Sequence, residues 1–391
     1  MRFDRHIRFS DRPGPAAGDG MKLTGLETWW CKRDLSLFPN NRAGSNMTWD
    51  VVVLRLHTDS GVQGHASALA ARSGLITETY LHDTIAPVLA ARDVSERERI
   101  WHDLWTLDRH LTFFPAYLPG PVDVALWDIA ARAAGLPLYR YLGAYRDSLP
   151  AYASGLFHER TEDYVSEALA YRARGLPGYK SHAPGPWRQD IEVHRAIREA
   201  VGPDMLLFAD PVGEYTLDQA IRVGRDLERL NYEWFEEPFR DFELAKYQSL
   251  CASLDIAVAA TETTRGGHWG VAQTIVQRAA DIVRADVSWK AGVTGTMKIA
   301  HLAEAFGMNC EIHTTTMAFM DIANLHVSCS IRNCEYFELF VPEAAFRFPL
   351  AGQLPIDARG HAHVPQGPGL GVDIDWPEVD RLCVSHRTTR L

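Results

Sequence analysis

The chain has 391 residues, 46% hydrophobic and 23% charged, with a formal net charge of −10 at pH 7. That acidic balance, with no Lys/Arg block to offset it, argues against a nucleic-acid binder, and no apolar run approaches the ~18 residues of a membrane span. The six cysteines show no CxxC pair or metal-site spacing, and four of them sit in apolar surroundings, so reduced thiols in a cytoplasmic protein are expected.

Residues 1–20, MRFDRHIRFSDRPGPAAGDG, are charged, rich in Gly and Pro, and without the apolar core of a signal peptide. They read as a flexible extension, or as sequence upstream of a start at Met21. From Met21 the pattern is strand-like MKLTGLETWW, then polar and turn-rich LSLFPNNRAGSNMT, then WDVVVLRLHTDSGVQGHA, which reads as a hairpin turning at Asp59-Ser60-Gly61. Helical patterning follows to about Gly143, including VDVALWDIAARAAGLPLYRYLG. The stretch 21–148 is therefore expected to be an α+β domain.

From about Leu149 strand and helix alternate. Candidate strands are PAYAS, GYKSH, LLFAD, YEWFEE, IAVAATE, DIVRAD, NCEIH and YFELF, with amphipathic helices such as LDQAIRVGRDLERL between them. Chemically distinctive residues close these strands: Lys180, Asp210, Glu236, Glu262, Asp286, His313 and Glu338, at steps of 30, 26, 26, 24, 27 and 25 residues. A repeat of that length is one strand-helix unit of a parallel barrel, whose strand ends meet on one rim. The barrel is expected over 149–345. The tail 346–391 contains VPQGPGLGVDID, read as a turn and a short strand, and is expected to return to the first domain.

An acid at one strand end is ordinarily a helix cap or half of a salt bridge. Asp210, Glu236 and Glu262 are evenly spaced on neighbouring strand ends, and together they form an oxygen-only cage of the kind that suits Mg²⁺. Asp286 and His313 end adjacent strands, so the carboxylate is placed to hold imidazole Nδ1–H and make His313 a general base. Lys180 and His182 alternate in GYKSH and face the same way across the barrel. Glu338 is expected to be a protonated donor to a substrate carboxylate, which needs a raised pKa. Two bases flanking a metal-bound carboxylate point to abstraction of the proton α to that carboxylate.

This pattern resembles the enolase superfamily, mandelate racemase subgroup, along nearly all of the chain from Met21. The resemblance rests on Lys180/His182, Asp210, Glu236, Glu262, Asp286, His313 and Glu338, on the VDVALWDIAARAAG segment, and on WFEEP and GPGLG. It implies a (β/α)7β modified TIM barrel with an α+β capping domain completed by the C-terminal tail. It also implies one Mg²⁺ per subunit and a homo-oligomer, dimer or octamer. Three positions depart from the family pattern: His182 where a second lysine is frequent, no Asn two residues after Asp210, and Thr261 where a Gly often precedes the Glu.

The resemblance points to dehydration of an acid sugar, an aldonate or aldarate, to a 2-keto-3-deoxy acid. One base takes the C2 proton, Lys180 and the metal hold the enediolate, and His313 helps expel the C3 hydroxyl. The alternatives are racemisation or epimerisation of a 2-hydroxy acid, cycloisomerisation, and a binding barrel that has lost turnover. The cap loop Leu35–Thr48 is expected to set specificity, with Arg42 a candidate for the distal end of the substrate.

Overall fold

A computed structural model describes residues 20–33, 49–71, 73–111, 117–183, 185–315 and 317–391. The expected extension up to residue 19 and the loop Leu35–Thr48 with Arg42 lie outside the described residues.

The cap opens with β1 (Leu23–Cys31), β2 (Trp49–Thr58) and β3 (Gln63–Ala71) in an antiparallel sheet. The turn falls at Asp59-Ser60-Gly61, where Gly61 takes φ +83 and Thr58 Oγ1 donates to the Val62 carbonyl at 2.7 Å. The helix Pro119–Ala133, which carries VDVALWDIAARA, lies so close on β3 that a Cβ on Gly64 would stand 2.1 Å from the Ala125 carbonyl oxygen. Only glycine fits there.

Eight parallel strands follow: β4 (Ser148–Ser154), β5 (Gly178–Ser181), β6 (Leu206–Ala209), β7 (Trp234–Glu236), β8 (Ala257–Ala260), β9 (Ile282–Ala285), β10 (Asn309–Ile312) and β11 (Phe337–Phe340). The hydrogen-bonded path runs β10-β9-β8-β7-β6-β5-β4-β11, so β10 and β11 are the neighbouring ends of a nearly closed barrel. Helices between the strands bury apolar stripes against its outside. One of them, Leu217–Arg229, starts on a capping box in which Thr216 and Gln219 satisfy each other's backbone N–H. The expected barrel fold is the observed one.

The tail supplies β12 (His361–His363), antiparallel to β4, and β13 (Cys383–Arg390), antiparallel to β1 with Gly25 opposite Arg390. The chain end thus completes the cap sheet in the order β13-β1-β2-β3. The short strand expected in GVDID is only an isolated bridge between Leu350 and Ile374. The long strand lies further on, in CVSHRTTR, whose side chains alternate between half-buried and exposed.

Cap and barrel are joined chiefly through the Pro119–Ala133 helix. Buried Asp123 accepts from Thr294 N at 2.9 Å and Thr294 Oγ1 at 2.7 Å, and Trp127 Nε1 donates to the same hydroxyl at 2.8 Å. Asp128 accepts from the backbone N–H groups of Leu370 at 2.8 Å and His65 at 3.1 Å, and pairs with Arg132. Each such bond contributes about 1 kcal/mol net. The Thr294 bonds tie the cap helix to the barrel just beyond the carboxyl end of β9, and the Asp128 bonds tie it to β3 and to the tail.

Candidate active site

The rim gathers the acids that the spacing singled out. Asp210 follows β6 directly, Glu236 ends β7, and Glu262 stands two residues beyond β8. One oxygen from each lies within 4.8 Å of the others, with Asp210 and Glu236 buried and Glu262 partly exposed. The backbone around them is tightly turned. Val212, Glu237 and Thr261 take φ of 56°, 33° and 85°, in the left-handed region that is unfavourable for side chains branched at Cβ.

Beneath this cage sits a buried lattice of charge. Lys180 Nζ lies 2.7 Å from Glu338, 3.1 Å from Glu236 and 3.6 Å from Asp210. Arg284, fully buried, donates from Nε to Glu236 Oε1 at 2.8 Å and from its terminal nitrogen to Glu338 Oε2. Trp234 Nε1 donates to Glu236 Oε2 at 3.0 Å. Burial alone would suppress the charge on Lys180, but Glu236 and Glu338 hold its pKa well above the usual lysine value.

Glu338 differs from the sequence expectation. Burial alone would raise its carboxyl, yet Lys180, Arg284 and His313 bring it well below the usual range. It is an ionised acceptor between two cations, and a protonated donor is not what this surrounding favours. The reason is spatial: Arg284 lies two residues before Asp286 in DIVRAD, and nothing local to YFELF announces it.

His182 and His313 flank the cage. His182 Nδ1–H donates to the Gly155 carbonyl at 2.5 Å, which turns Nε2 toward Asp210 at 3.3 Å. His313 Nδ1–H donates to Asp286 Oδ2 at 3.0 Å, and its Nε2 stands 3.4 Å from Glu262. Asp286 is itself fixed by the backbone N–H groups of Ser288 at 2.6 Å and Trp289 at 2.7 Å. Burial would depress His313, but Glu262 and the Asp286 bond carry its pKa up to about 9. The Phe340 ring centroid lies 6.3 Å from each imidazole. All the described candidates, Lys180, His182, Asp210, Glu236, Glu262, Asp286, His313 and Glu338, are therefore brought together.

Sequence reasoning missed Arg284 and Trp234, which share the inward phase of Asp286 and Glu236. It also missed two buried neighbours, Glu237 and Lys290. Burial and the nearby Glu262 carboxylate raise Glu237 to about 8, and Lys290 Nζ donates to the Thr264 carbonyl at 2.7 Å.

A lysine, a carboxylate cage and an Asp-His pair on successive strand ends under an α+β cap define a class of barrel enzymes. Residues 163–379 match the enolase C-terminal domain-like family, and residues 37–143 match the mandelate racemase / muconate lactonizing enzyme N-terminal domain. The chain belongs to the enolase superfamily, in its mandelate racemase subgroup. It is 29% identical over 332 residues to the arabinonate dehydratase of Saccharolobus solfataricus, covering 83% of this chain and 88% of that protein. It is also 29% identical over 346 residues to the D-galactarolactone cycloisomerase of Agrobacterium fabrum, covering 83% and 89%. Among solved structures, D-glucarate dehydratase from Agrobacterium tumefaciens, complexed with magnesium, shares 32% identity at a TM-score of 0.82. That match covers 93% of this chain and 99% of the other.

Proposed function

We propose that this chain is a Mg²⁺-dependent acid-sugar dehydratase that converts an aldonate or aldarate to a 2-keto-3-deoxy acid. The observation that carries this is the oxygen cage of Asp210, Glu236 and Glu262 set between His182 and the His313–Asp286 pair. The donor set fits the ion: three hard carboxylate oxygens close together, with no sulfur or nitrogen in the cluster. When bound, Mg²⁺ supplies a Lewis acid that offsets the charge developing on the substrate carboxylate.

The protein groups divide the remaining work. His182, its Nδ1 proton tied to the Gly155 carbonyl, presents Nε2 as the acceptor for the C2 proton. Lys180, held charged by Glu236 and Glu338, gives a fixed positive field to the substrate carboxylate. His313, oriented by its Nδ1–H bond to Asp286, gives a proton from Nε2 to the C3 hydroxyl as that group leaves as water. The enol that remains tautomerises to the keto acid. Glu338 orients Lys180. In the same reading, Leu35–Thr48 with Arg42 selects the distal end of the sugar, the cap spans 21–148, the barrel 149–345 and the returning tail 346–391. A homo-oligomer in the cytoplasm completes it. Among the described residues no helix is long and apolar enough to cross a membrane.

A second reading keeps the same proton abstraction and returns the proton, giving an epimerase or racemase, or else closes or opens a ring as a cycloisomerase. One imidazole beside Asp210 and the other beside Glu262, together with the cycloisomerase among the relatives, support this reading. Purified protein with MgCl₂ screened against mono- and diacid sugars should form a 2-keto acid from at least one. Formation of only a C2 epimer or a rearranged lactone would replace dehydration by the second reading. Absence of both product and C2 deuterium exchange across the library would reject an enzyme of this kind.

A further inference from the structure

Asp210 is joined to its own loop by the Val212 N–H, which donates to Asp210 Oδ1 at 2.8 Å. The other two cage acids converge instead on a single residue of β9. Arg284 holds Glu236 through its side chain, Nε to Oε1 at 2.8 Å. Its backbone holds the approach to Glu262: Arg284 N donates to Thr261 Oγ1 at 3.0 Å, and Thr261 Oγ1 donates to the Arg284 carbonyl at 2.9 Å. The β8–β9 backbone ladder ends at Ala260 opposite Val283. At the next residue the chain turns off at φ +85, and the threonine hydroxyl carries the connection across in place of a backbone pair.

The groups that make these bonds are sequestered, while Glu262 itself is partly exposed. Arg284 and Glu236 are 0% exposed and Thr261 is 1% exposed, so water cannot substitute for a missing partner. The guanidinium also reaches Glu338 and lies 5.8 Å from the Trp234 ring centroid, so its plane is set from more than one side. The planar fork sets the orientation of both carboxylates, whereas the Lys180 ammonium between the same two acts as a point charge.

We propose that Arg284 and Thr261 form a positioning brace across β7, β8 and β9 that fixes Glu236 and Glu262, and so sets the Mg²⁺ affinity of the cage. The proposal rests on the reading of that cage as a Mg²⁺ site. Partners that orient metal ligands characteristically change affinity by about 10–100-fold when removed.

The test is Mg²⁺ binding by isothermal titration, without substrate, to wild type, Arg284→Lys, Thr261→Gly and Thr261→Ser, with thermal melting of each. Arg284→Lys keeps the charge and loses the fork. It should bind Mg²⁺ about tenfold or more weakly. Thr261→Gly relaxes the left-handed backbone and removes the hydroxyl, so it should melt close to wild type while binding Mg²⁺ about tenfold or more weakly. Thr261→Ser retains the hydroxyl and should restore binding. Wild-type affinity in Arg284→Lys, or equal affinity in the glycine and serine variants, would overturn the brace. If Arg284→Lys does not fold, the Thr261 pair decides alone. If neither Arg284→Lys nor Thr261→Gly folds, the role is structural and the proposal falls. Wild type that binds no Mg²⁺ would instead defeat the reading of the cage, and the brace with it.

Discussion

Replacing Lys180 by Met removes the ammonium and keeps most of the stem volume, which isolates charge from packing. The side chain is fully buried, and its nitrogen serves Glu338, Glu236 and Asp210 at 2.7, 3.1 and 3.6 Å. Breaking a buried ion pair from one side costs about 3–5 kcal/mol, because the abandoned charge stays buried. A chain of this size unfolds with an entropy near 0.8 kcal/mol per kelvin, so a loss of ~4 kcal/mol lowers Tm by about 5 °C. That loss should appear in chelator. A bound divalent cation supplies the missing positive charge, so added MgCl₂ should raise the Tm of Lys180→Met by more than it raises that of wild type. Scanning calorimetry in EDTA and in MgCl₂ reads both quantities. A variant that melts with wild type in EDTA, or that gains no more from Mg²⁺ than wild type gains, would refute the view that Lys180 and the ion balance the same carboxylates.

Two further outcomes follow from the site and the joint. In D₂O, His313→Asn should keep C2 exchange while losing keto-acid formation, whereas His182→Asn should lose both; full dehydration by His313→Asn would remove that residue from the mechanism. Burial raises Asp123 to about 7, against the bonds it accepts from Thr294. An acid with a raised folded pKa keeps its proton longer in the native state, so its contribution to stability falls as pH rises from about 4 to 7, by roughly 1.4 kcal/mol for each pH unit crossed. Asp123→Asn should therefore gain in Tm relative to wild type as pH goes from 5 to 8, and a gap that does not change with pH would contradict this account.

The parallel barrel was legible because its geometry turns sequence period into proximity. Acids one strand-helix unit apart, Asp210, Glu236 and Glu262, meet on one rim whatever the helices between them contain. The state of Glu338 was not legible, since it depends on Lys180 and Arg284 arriving from other strands. Arg284 did leave a trace: a charged residue in an otherwise apolar strand, in phase with Asp286. Thr261 left none, because the use of its hydroxyl depends on the left-handed turn at that residue. In the tail, proline and glycine drew attention to GVDID, while the actual strand CVSHRTTR is half-exposed and polar, so its alternation carries little apolar contrast.

The pairing of β1 with β13 bears on how the polypeptide is made. On the ribosome β1 emerges before the barrel strands, and its partner emerges only after they have all been synthesised. Until then one edge of β1 has open N–H and C=O groups beside apolar side chains on both faces of the strand, Leu26 on one and Trp29 on the other, a template for intermolecular pairing. A nascent chain stalled or clipped before Cys383 would carry a formed barrel beside an adhesive strand edge. Its fate would be aggregation, even though every residue that touches the cage is already present.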